Sequence, residues 1–92
     1  MSIDDIHNYY KTLVIDELTR LDEYRNGKMD QAFLEDVACI ALNRLPAKYV
    51  RHSVDLIFYM SGQERMEMQT AVENAVKLAI ETISKHNKKD SE

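Results

Sequence analysis

The N-terminal third of the chain carries apolar and aromatic residues at the spacing of an amphipathic helix. They recur every three or four residues, as one helix face requires, and they are Ile6, Tyr9, Tyr10, Leu13, Val14, Leu18, Leu21 and Tyr24. Asp4 and Asp5 precede the run, where carboxylates favour the positive end of a helix dipole. Asn26 and Gly27 follow it, and both tolerate the left-handed conformation that ends helices. The pattern predicts a first helix over about residues 4–25.

A second helical period runs from Asp30 to the only proline of the chain, Pro46. Its apolar positions are Phe33, Leu34, Val37, Ile40, Ala41 and Leu45. Asp30 is a suitable N-cap. The residue before a proline is displaced from helical angles, so this helix should end by Asn43 or Arg44. Cys39 lies within the apolar pattern, and we expect its side chain to be packed.

The segment over residues 51–60 fits two secondary structures. Val54, Ile57 and Phe58 favour strands, whereas Ser53-Val-Asp is also a suitable opening for a short helix. We expect an extended or mixed segment here and leave the short helix open.

A last helix begins near a capping box. Ser61 and Glu64 provide the hydroxyl and the carboxylate three residues apart that this motif requires. One broad apolar face follows, formed by Met68, Val72, Ala75, Val76, Ala79, Ile80 and Ile83. Residues 86–92 are polar and are expected to fray.

These elements predict a mainly α fold: one small three-to-four-helix domain over residues 1–92, with a short extended segment near residues 50–60. The two glycines and single proline support helices over a turn-rich β fold. A chain of 92 residues has a small core, which oligomerisation often supplements. The wide apolar face of the last helix and the methionines Met60, Met66 and Met68 therefore favour a homodimer interface. The same methionines are also suited to a partner groove.

The composition indicates the cellular compartment and excludes some classes of partner. One cysteine excludes a disulfide within the chain and fits a reducing compartment. The N-terminus lacks a signal-peptide pattern, and the longest apolar run, residues 56–60, is too short to cross a bilayer. We therefore expect a cytoplasmic protein with no membrane partner. The net charge of −4 argues against coating nucleic acid, so nucleic acid is not an expected partner.

The sign of the charge reverses locally around the proline. No aspartate or glutamate occurs after Asp36 until Asp55, yet Arg44, Lys48 and Arg51 lie in that interval. Guanidinium groups clamp phosphates, tyrosine stacks on bases, and a carboxylate accepts hydrogen bonds from the edge of guanine. The candidate ligand-binding residues are Arg44, Lys48, Tyr49, Arg51, His52 and Asp55, and they suit a guanine nucleotide. The alternative is structural: Arg44 and Lys48 neutralise the end of the second helix, with Tyr49 in the core.

Metal and catalytic sites are not expected. His7, Cys39, His52 and His86 do not show the spacing of metal ligands. The chain has no glycine-rich phosphate loop and no nucleophile elbow. We therefore predict that the protein is not an enzyme.

The segment from Asp36 to Val50 resembles the signature of the late competence ComFB family. The matching residues are Asp36, Val37, Ala41, Leu42, Asn43, Leu45, Pro46, Tyr49 and Val50, and Asn8, Leu13, Val14, Asp16 and Glu17 match a further family feature near the N-terminus. The resemblance implies a small, largely helical, dimeric protein. Cyanobacterial relatives are described as cyclic di-GMP receptors, and other members bind zinc through cysteines just before the Asp-Val element.

Two departures from the family pattern matter here. Residues 29–35 contain no cysteine, so zinc is not expected. Ala47 stands where the family usually has a second proline, which loosens the turn. The resulting interpretation is a non-enzymatic, cytoplasmic signalling module: a dimeric cyclic di-GMP receptor acting on an unknown downstream protein, with no other cofactor. The alternative is a nucleotide-independent dimeric adaptor linked to competence or another regulated process.

Overall fold

The computed structural model describes residues 3–90, without the side chains of Asp4 and residues 86–90. Within that range the chain forms four α-helices and two short strands. A 3-10 turn at Ile3–Asp5 comes first, followed by β1 (His7–Asn8), α1 (Tyr9–Tyr24), α2 (Gln31–Arg44), β2 (Tyr49–Val50), α3 (Ser53–Tyr59) and α4 (Gly62–Asp90). This confirms the mainly α prediction. None of the helices in the described range has both the length and the apolar character needed to span a membrane.

Helix α1 begins later than the hydrophobic pattern predicts. Its first residue is Tyr9 rather than residue 4, because Asn8 caps it: the Asn8 side-chain oxygen accepts a hydrogen bond from the Tyr10 backbone N–H at 3.1 Å. The residues before the cap form the 3-10 turn and β1 instead. Asp5 therefore lies outside the first turn of α1. The helical spacing of apolar residues extends back to Ile6, so it does not reveal that α1 begins only at Tyr9. The strand β1 that precedes α1 forms by pairing with β2, which is distant in the sequence.

The end of α1 and both ends of α2 agree with the positions that the sequence pattern predicts. Asn26 and Gly27 have φ angles of 61° and 68°, as expected for a left-handed helix stop. Asp30 occupies the N-cap of α2 in an extended conformation, although its side chain makes no capping hydrogen bond. The helix ends at Arg44, two residues before Pro46, which confirms the effect of proline on the preceding backbone.

Residues 53–59 correct the expectation of an extended or mixed segment. They form helix α3, the alternative that Ser53-Val-Asp left open, and extended backbone is found in β2 and in the two cap residues that flank α3, His52 and Met60. The high strand propensity of Val54 and Ile57 did not decide the outcome, because such preferences depend on a neighbouring strand.

The start of α4 agrees with the capping box. The Glu64 backbone N–H donates to the Ser61 hydroxyl oxygen at 3.1 Å. The backbone is helical as far as Asp90, which takes in most of the tail that was expected to fray at residues 86–92. Ser91 and Glu92 lie outside the described residues.

The core lies between α1, α2 and α4. Its buried members are Tyr10, Val14, Leu18, Val37, Ala41, Val72, Ala75, Val76 and Ala79. The predicted apolar face of α4 is confirmed, since Met68, Ile80 and Ile83 pack against this cluster. Each large aliphatic side chain buried in this way contributes about 1.5–3 kcal/mol.

Among the side chains whose burial the structure describes, one charged group, Glu17, is buried beside the core. Glu17 is 6% exposed, and both of its oxygens accept from the Arg20 guanidinium, at 3.0 and 2.8 Å. The hydrogen bond and the charge of Glu17 raise the pKa of Arg20 above its ordinary value. The pairing satisfies a carboxylate that would otherwise be buried at a cost.

The prediction that Cys39 is packed is wrong. Its side chain is exposed. Helix α2 buries Val37 and Ala41, which are four residues apart and so share one face. Cys39 is two residues from each of them and therefore lies on the opposite side of the helix.

Candidate functional site

The candidate site is the segment from Arg44 to Asp55, called here the basic segment. It connects α2 to the first turn of α3 and includes β2. Strand β2 pairs with β1 in antiparallel register, with His7 opposite Val50 and Asn8 opposite Tyr49. The pairing holds the middle of the basic segment against the start of α1.

Asn8 fixes the backbone at this junction. Its side-chain oxygen caps α1 and also accepts from the Lys48 backbone N–H at 2.9 Å. The Tyr9 N–H in turn donates to the Lys48 carbonyl oxygen at 2.7 Å. Both polar backbone groups of Lys48 are thereby used, so its position relative to α1 is determined although its side chain is exposed.

His7 makes a second connection, to the start of α3. Its Nδ1 lies 3.2 Å from the Asp5 carbonyl oxygen, and its Nε2 lies 3.0 Å from the Ser53 hydroxyl oxygen. A carbonyl oxygen can only accept, so in the neutral ring Nδ1 carries the proton and Nε2 accepts from Ser53. His7 therefore orients the first residue of α3, directly after the basic segment's His52.

All six predicted ligand-binding residues are exposed, and all lie in the described range. They are Arg44 at the end of α2, Lys48, Tyr49 in β2, Arg51, His52 at the α3 cap and Asp55 in the first turn of α3. Within the part of the chain that the structure describes, the side chains of these six residues form no ion pair and no hydrogen bond, although the Lys48 backbone N–H donates to Asn8. They are thus available to a ligand.

The structural alternative for these residues is correct in one part and wrong in another. Arg44 does occupy the last turn of α2, where a cation favours the helix dipole. Tyr49 is 69% exposed, so it does not belong to the core. An exposed arginine at a helix end remains free to contact an anion, so the capping role and a ligand role are compatible.

Lys48 has acidic neighbours that the sequence did not indicate. It lines a cavity of about 250 Å³ together with Glu64 and Glu67 of α4, and with Tyr10, Met60 and Met68. These two carboxylates oppose an anionic ligand at that point. Arg44 and Arg51 do not line this cavity and are the better candidates for phosphate contacts.

A larger groove lies beside the start of α4. It has a volume of about 510 Å³ and is lined by Tyr9, Leu13, Met60, Gly62, Arg65, Met66, Met68 and Gln69. The clustering of Met60, Met66 and Met68 around the start of the last helix is thereby confirmed. We call this surface the methionine groove.

Helix α3 presents the main apolar surface next to the basic segment. Val54, Phe58 and Tyr59 are 70%, 81% and 83% exposed, and Ile57 is 38% exposed. The rings of Phe58 and Tyr59 meet edge to face, with centroids 5.3 Å apart. No residue of α3 is buried. We call the side formed by Val54, Ile57 and Phe58 the α3 face.

Sequence reasoning missed the residues that position the basic segment. These are Asn8, His7 and Ser53, whose contacts join positions about forty or more apart in the sequence. One local signal was available for Asn8, because asparagine directly before a helical run is a favoured N-cap. Across residues 3–90, no group of three or more histidine, cysteine, aspartate or glutamate side chains described by the structure could hold a metal ion.

Comparison with known families gives one result. The family model of the late competence development protein ComFB matches residues 7–87, which include β1, the basic segment and most of α4. Comparisons with curated proteins and with solved structures gave no match. The chain therefore belongs to the ComFB family.

Proposed function

We propose that this protein is a non-enzymatic, cytoplasmic receptor for cyclic di-GMP that works as a homodimer and passes its state to a partner protein. The observation that carries the proposal is the exposed set of arginine, lysine and tyrosine side chains in the basic segment. It interrupts a chain of net charge −4. The family resemblance supports the same ligand, because cyanobacterial relatives are described as cyclic di-GMP receptors.

Each residue of the basic segment has a proposed role. Arg44 and Arg51 clamp phosphate oxygens, since the guanidinium fork matches them in a bidentate way. Tyr49 offers an exposed ring on which a guanine base stacks. Asp55 accepts hydrogen bonds from the donors on the Watson–Crick edge of guanine. Lys48 adds positive charge at the edge of this site, and the His52 ring adds a hydrogen-bond donor.

The symmetry of the ligand favours a dimer. Cyclic di-GMP has two phosphates and two guanines related by a two-fold axis, and a two-fold dimer offers the same groups to each half. One protomer would contribute one basic segment, and its partner would contribute the other. The occupied and empty dimers then differ in the relative position of two segments, which a partner protein can recognise.

Isothermal titration calorimetry with cyclic di-GMP tests the proposal. Arg44→Ala and Arg51→Ala should each weaken binding by about 1.5–3 kcal/mol, the contribution of a charged hydrogen bond. Arg25→Ala is the matched control, because Arg25 is exposed at the far end of α1, about 24 Å along the helix axis from its start. Absence of binding heat and of a thermal shift at millimolar nucleotide would overturn the proposal.

A nucleotide-independent adaptor is the second candidate function, favoured by the exposed apolar side chains of α3. It predicts that the protein captures its partner equally well with and without cyclic di-GMP. Capture assays with purified wild-type and Arg51→Ala protein, each with and without nucleotide, distinguish the two functions. Equal capture in all four samples supports the adaptor, and capture that depends on both nucleotide and Arg51 supports the receptor.

A further inference from the structure

A further groove lies between α1 and α2, on the halves of the two helices that are closest to the turn joining them. It has a volume of about 300 Å³ and is lined by Ile15, Leu18, Thr19 and Asp22 of α1 and by Gln31, Leu34, Glu35 and Ala38 of α2. On each helix the four residues follow the spacing i, i+3, i+4, i+7, which places them in one stripe along the helix. We call this surface the acidic groove, after its two carboxylates.

The floor of the acidic groove is apolar and partly open. Leu18 is buried in the core, Leu34 and Ala38 are half-buried, and Ile15 is 48% exposed. All of the lining residues come from α1 and α2, so α3 and the described part of α4 leave this floor uncovered. An occupant with aliphatic side chains would remove the floor from water, which favours binding.

The rim of the acidic groove is negatively charged. Asp22 and Glu35 are its charged lining residues, and no lysine or arginine is among the described residues that line it. Three further exposed carboxylates directly follow lining residues in the sequence, and they belong to Asp16, Glu23 and Asp36. The arginine in this part of α1, Arg20, is bound to Glu17 instead. The groove therefore repels nucleic acid and anionic lipid and attracts a cationic partner.

Both lining carboxylates retain an oxygen that can accept from such a partner. One oxygen of Asp22 accepts from the Met29 backbone N–H at 3.1 Å, and one oxygen of Glu35 lies 3.4 Å from the Gln31 side-chain nitrogen. Within the described residues, the second oxygen of each carboxylate has no hydrogen bond. Lysine and arginine side chains donate to carboxylate oxygens in charge-assisted hydrogen bonds.

The acidic groove is separate from the basic segment. The two surfaces have no residue in common. Ala38, the lining residue of α2 that is nearest to Arg44 in the sequence, lies about 9 Å from it along the helix axis. A partner in the groove and a nucleotide at the basic segment can therefore occupy the same chain together.

We propose that the acidic groove docks a cationic amphipathic segment of the downstream protein. Aliphatic side chains of that segment cover Ile15 and Leu34, and its lysine or arginine side chains pair with Asp22 and Glu35. An amphipathic helix has both kinds of side chain on adjoining faces, and helices of this kind commonly dock in apolar grooves. The inference names the docking surface and the chemistry of the partner, and it rests on the proposed function only for the existence of a downstream protein.

Fluorescence anisotropy of the full chain without nucleotide tests the docking. The probe is a fluorescein-labelled peptide of leucine and lysine, patterned as an amphipathic helix, and the wild type should bind it in the micromolar range. Ile15→Ser should raise the Kd about fivefold or more, because it removes an apolar contact. Glu35→Lys should raise it at least about tenfold, because it brings like charges together. Circular dichroism should show unchanged helix content, since both altered side chains are exposed.

Two positions of α4 provide matched control variants. Leu78 is 46% exposed, and its carbonyl oxygen accepts from a threonine hydroxyl at 2.8 Å, as the carbonyl oxygen of Ile15 does. Glu81 is exposed, and Glu81→Lys changes the net charge by the same amount as Glu35→Lys. Neither Leu78 nor Glu81 lines the groove, so Leu78→Ser and Glu81→Lys should leave the Kd within about twofold of the wild type.

The same titrations define the results that would overturn the docking. A peptide of alanine and lysine with the same length and charge should bind much more weakly, because it lacks large aliphatic side chains. Absence of binding, equal affinity for the two peptides, or equal losses in the groove and control variants would each overturn the proposal. So would sedimentation velocity showing that Ile15→Ser and Glu35→Lys dissociate a wild-type dimer, since a second copy would then occupy the groove.

Calorimetry with cyclic di-GMP on the same proteins separates this proposal from the proposed function. A chain that binds the leucine–lysine peptide through the groove but gives no heat with the nucleotide would overturn the receptor function and support the docking. A chain that binds the nucleotide but not the peptide would overturn the docking alone.

Discussion

At the scale of single residues, Asn8 joins two parts of the chain through one oxygen atom. The atom accepts from the Tyr10 N–H, which completes the start of α1, and from the Lys48 N–H, which belongs to the basic segment. A side-chain amide oxygen has two acceptor positions, and both are used here. Asn8 is therefore a helix cap and an anchor for the candidate site at the same time.

Asn8→Ala should lower the free energy of unfolding by about 1–3 kcal/mol, because it removes a cap and leaves two backbone donors without this acceptor. Urea denaturation followed by circular dichroism measures the change. Asn8→Asp retains an acceptor oxygen and should be much closer to the wild type. Asn74→Ala, at an exposed position of α4, should stay within about 0.5 kcal/mol. An Asn8→Ala protein as stable as the wild type would contradict the assigned role.

At the scale of elements, the turn between α1 and α2 depends on backbone conformation rather than on packing. Gly27 has a φ of 68°, and a Cβ added there would meet no atom within 4 Å. Its backbone N–H donates to the Asp22 carbonyl oxygen at 2.8 Å, which closes the end of α1. Space is available at this position, but the left-handed conformation disfavours any residue with a Cβ.

The two glycines should respond to alanine with opposite signs. Gly27→Ala should lower the free energy of unfolding by about 1 kcal/mol, because the left-handed conformation strains an L-residue. Gly62→Ala should raise it by about 0.4–1 kcal/mol, since alanine restricts the unfolded chain and Gly62 has open space at the start of α4. Urea denaturation of both variants measures the difference. Equal effects of the two substitutions would show that backbone conformation does not control the α1–α2 turn.

Helix ends that are determined by neighbouring residues in the sequence were predictable, whereas features that depend on residues distant in the sequence were not. The Asn26-Gly27 stop, the end of α2 before Pro46 and the Ser61 cap all rest on neighbouring residues. The late start of α1 depends on β1 pairing with β2. The sequence left a short helix open at α3 but favoured an extended segment, because strand propensity depends on a neighbouring strand that the sequence does not reveal.

The candidate site was likewise predictable from the sequence only in part. The sequence predicted six candidate ligand-binding side chains after α2, and the structure shows all six to be exposed. It could not predict that Glu64 and Glu67 share a cavity with Lys48, because the cavity brings together residues that are distant in the sequence. It also could not predict the hydrogen bond from Ser53 to His7, which fixes where α3 begins.

At the scale of the whole molecule, the local charge of the basic segment should affect an anionic ligand more than the net charge of the chain does. The chain measures 50 × 31 × 25 Å, and its net charge of −4 repels an anion at long range. Screening at physiological salt limits such repulsion to about 8 Å. A ligand at the basic segment should therefore respond mainly to Arg44 and Arg51, because Glu64 and Glu67 lie beside Lys48. In the proposed homodimer, two basic segments would meet one two-fold symmetric ligand and would concentrate this effect.

The most direct test of the central claim is the stoichiometry of cyclic di-GMP binding, measured by isothermal titration calorimetry on the wild-type protein. A symmetric ligand held between two basic segments predicts one nucleotide for every two chains. Arg51→Ala should weaken binding without changing the dimer measured in the absence of nucleotide. A titration that gives no binding heat, or one that saturates at one nucleotide per monomeric chain, would contradict the account.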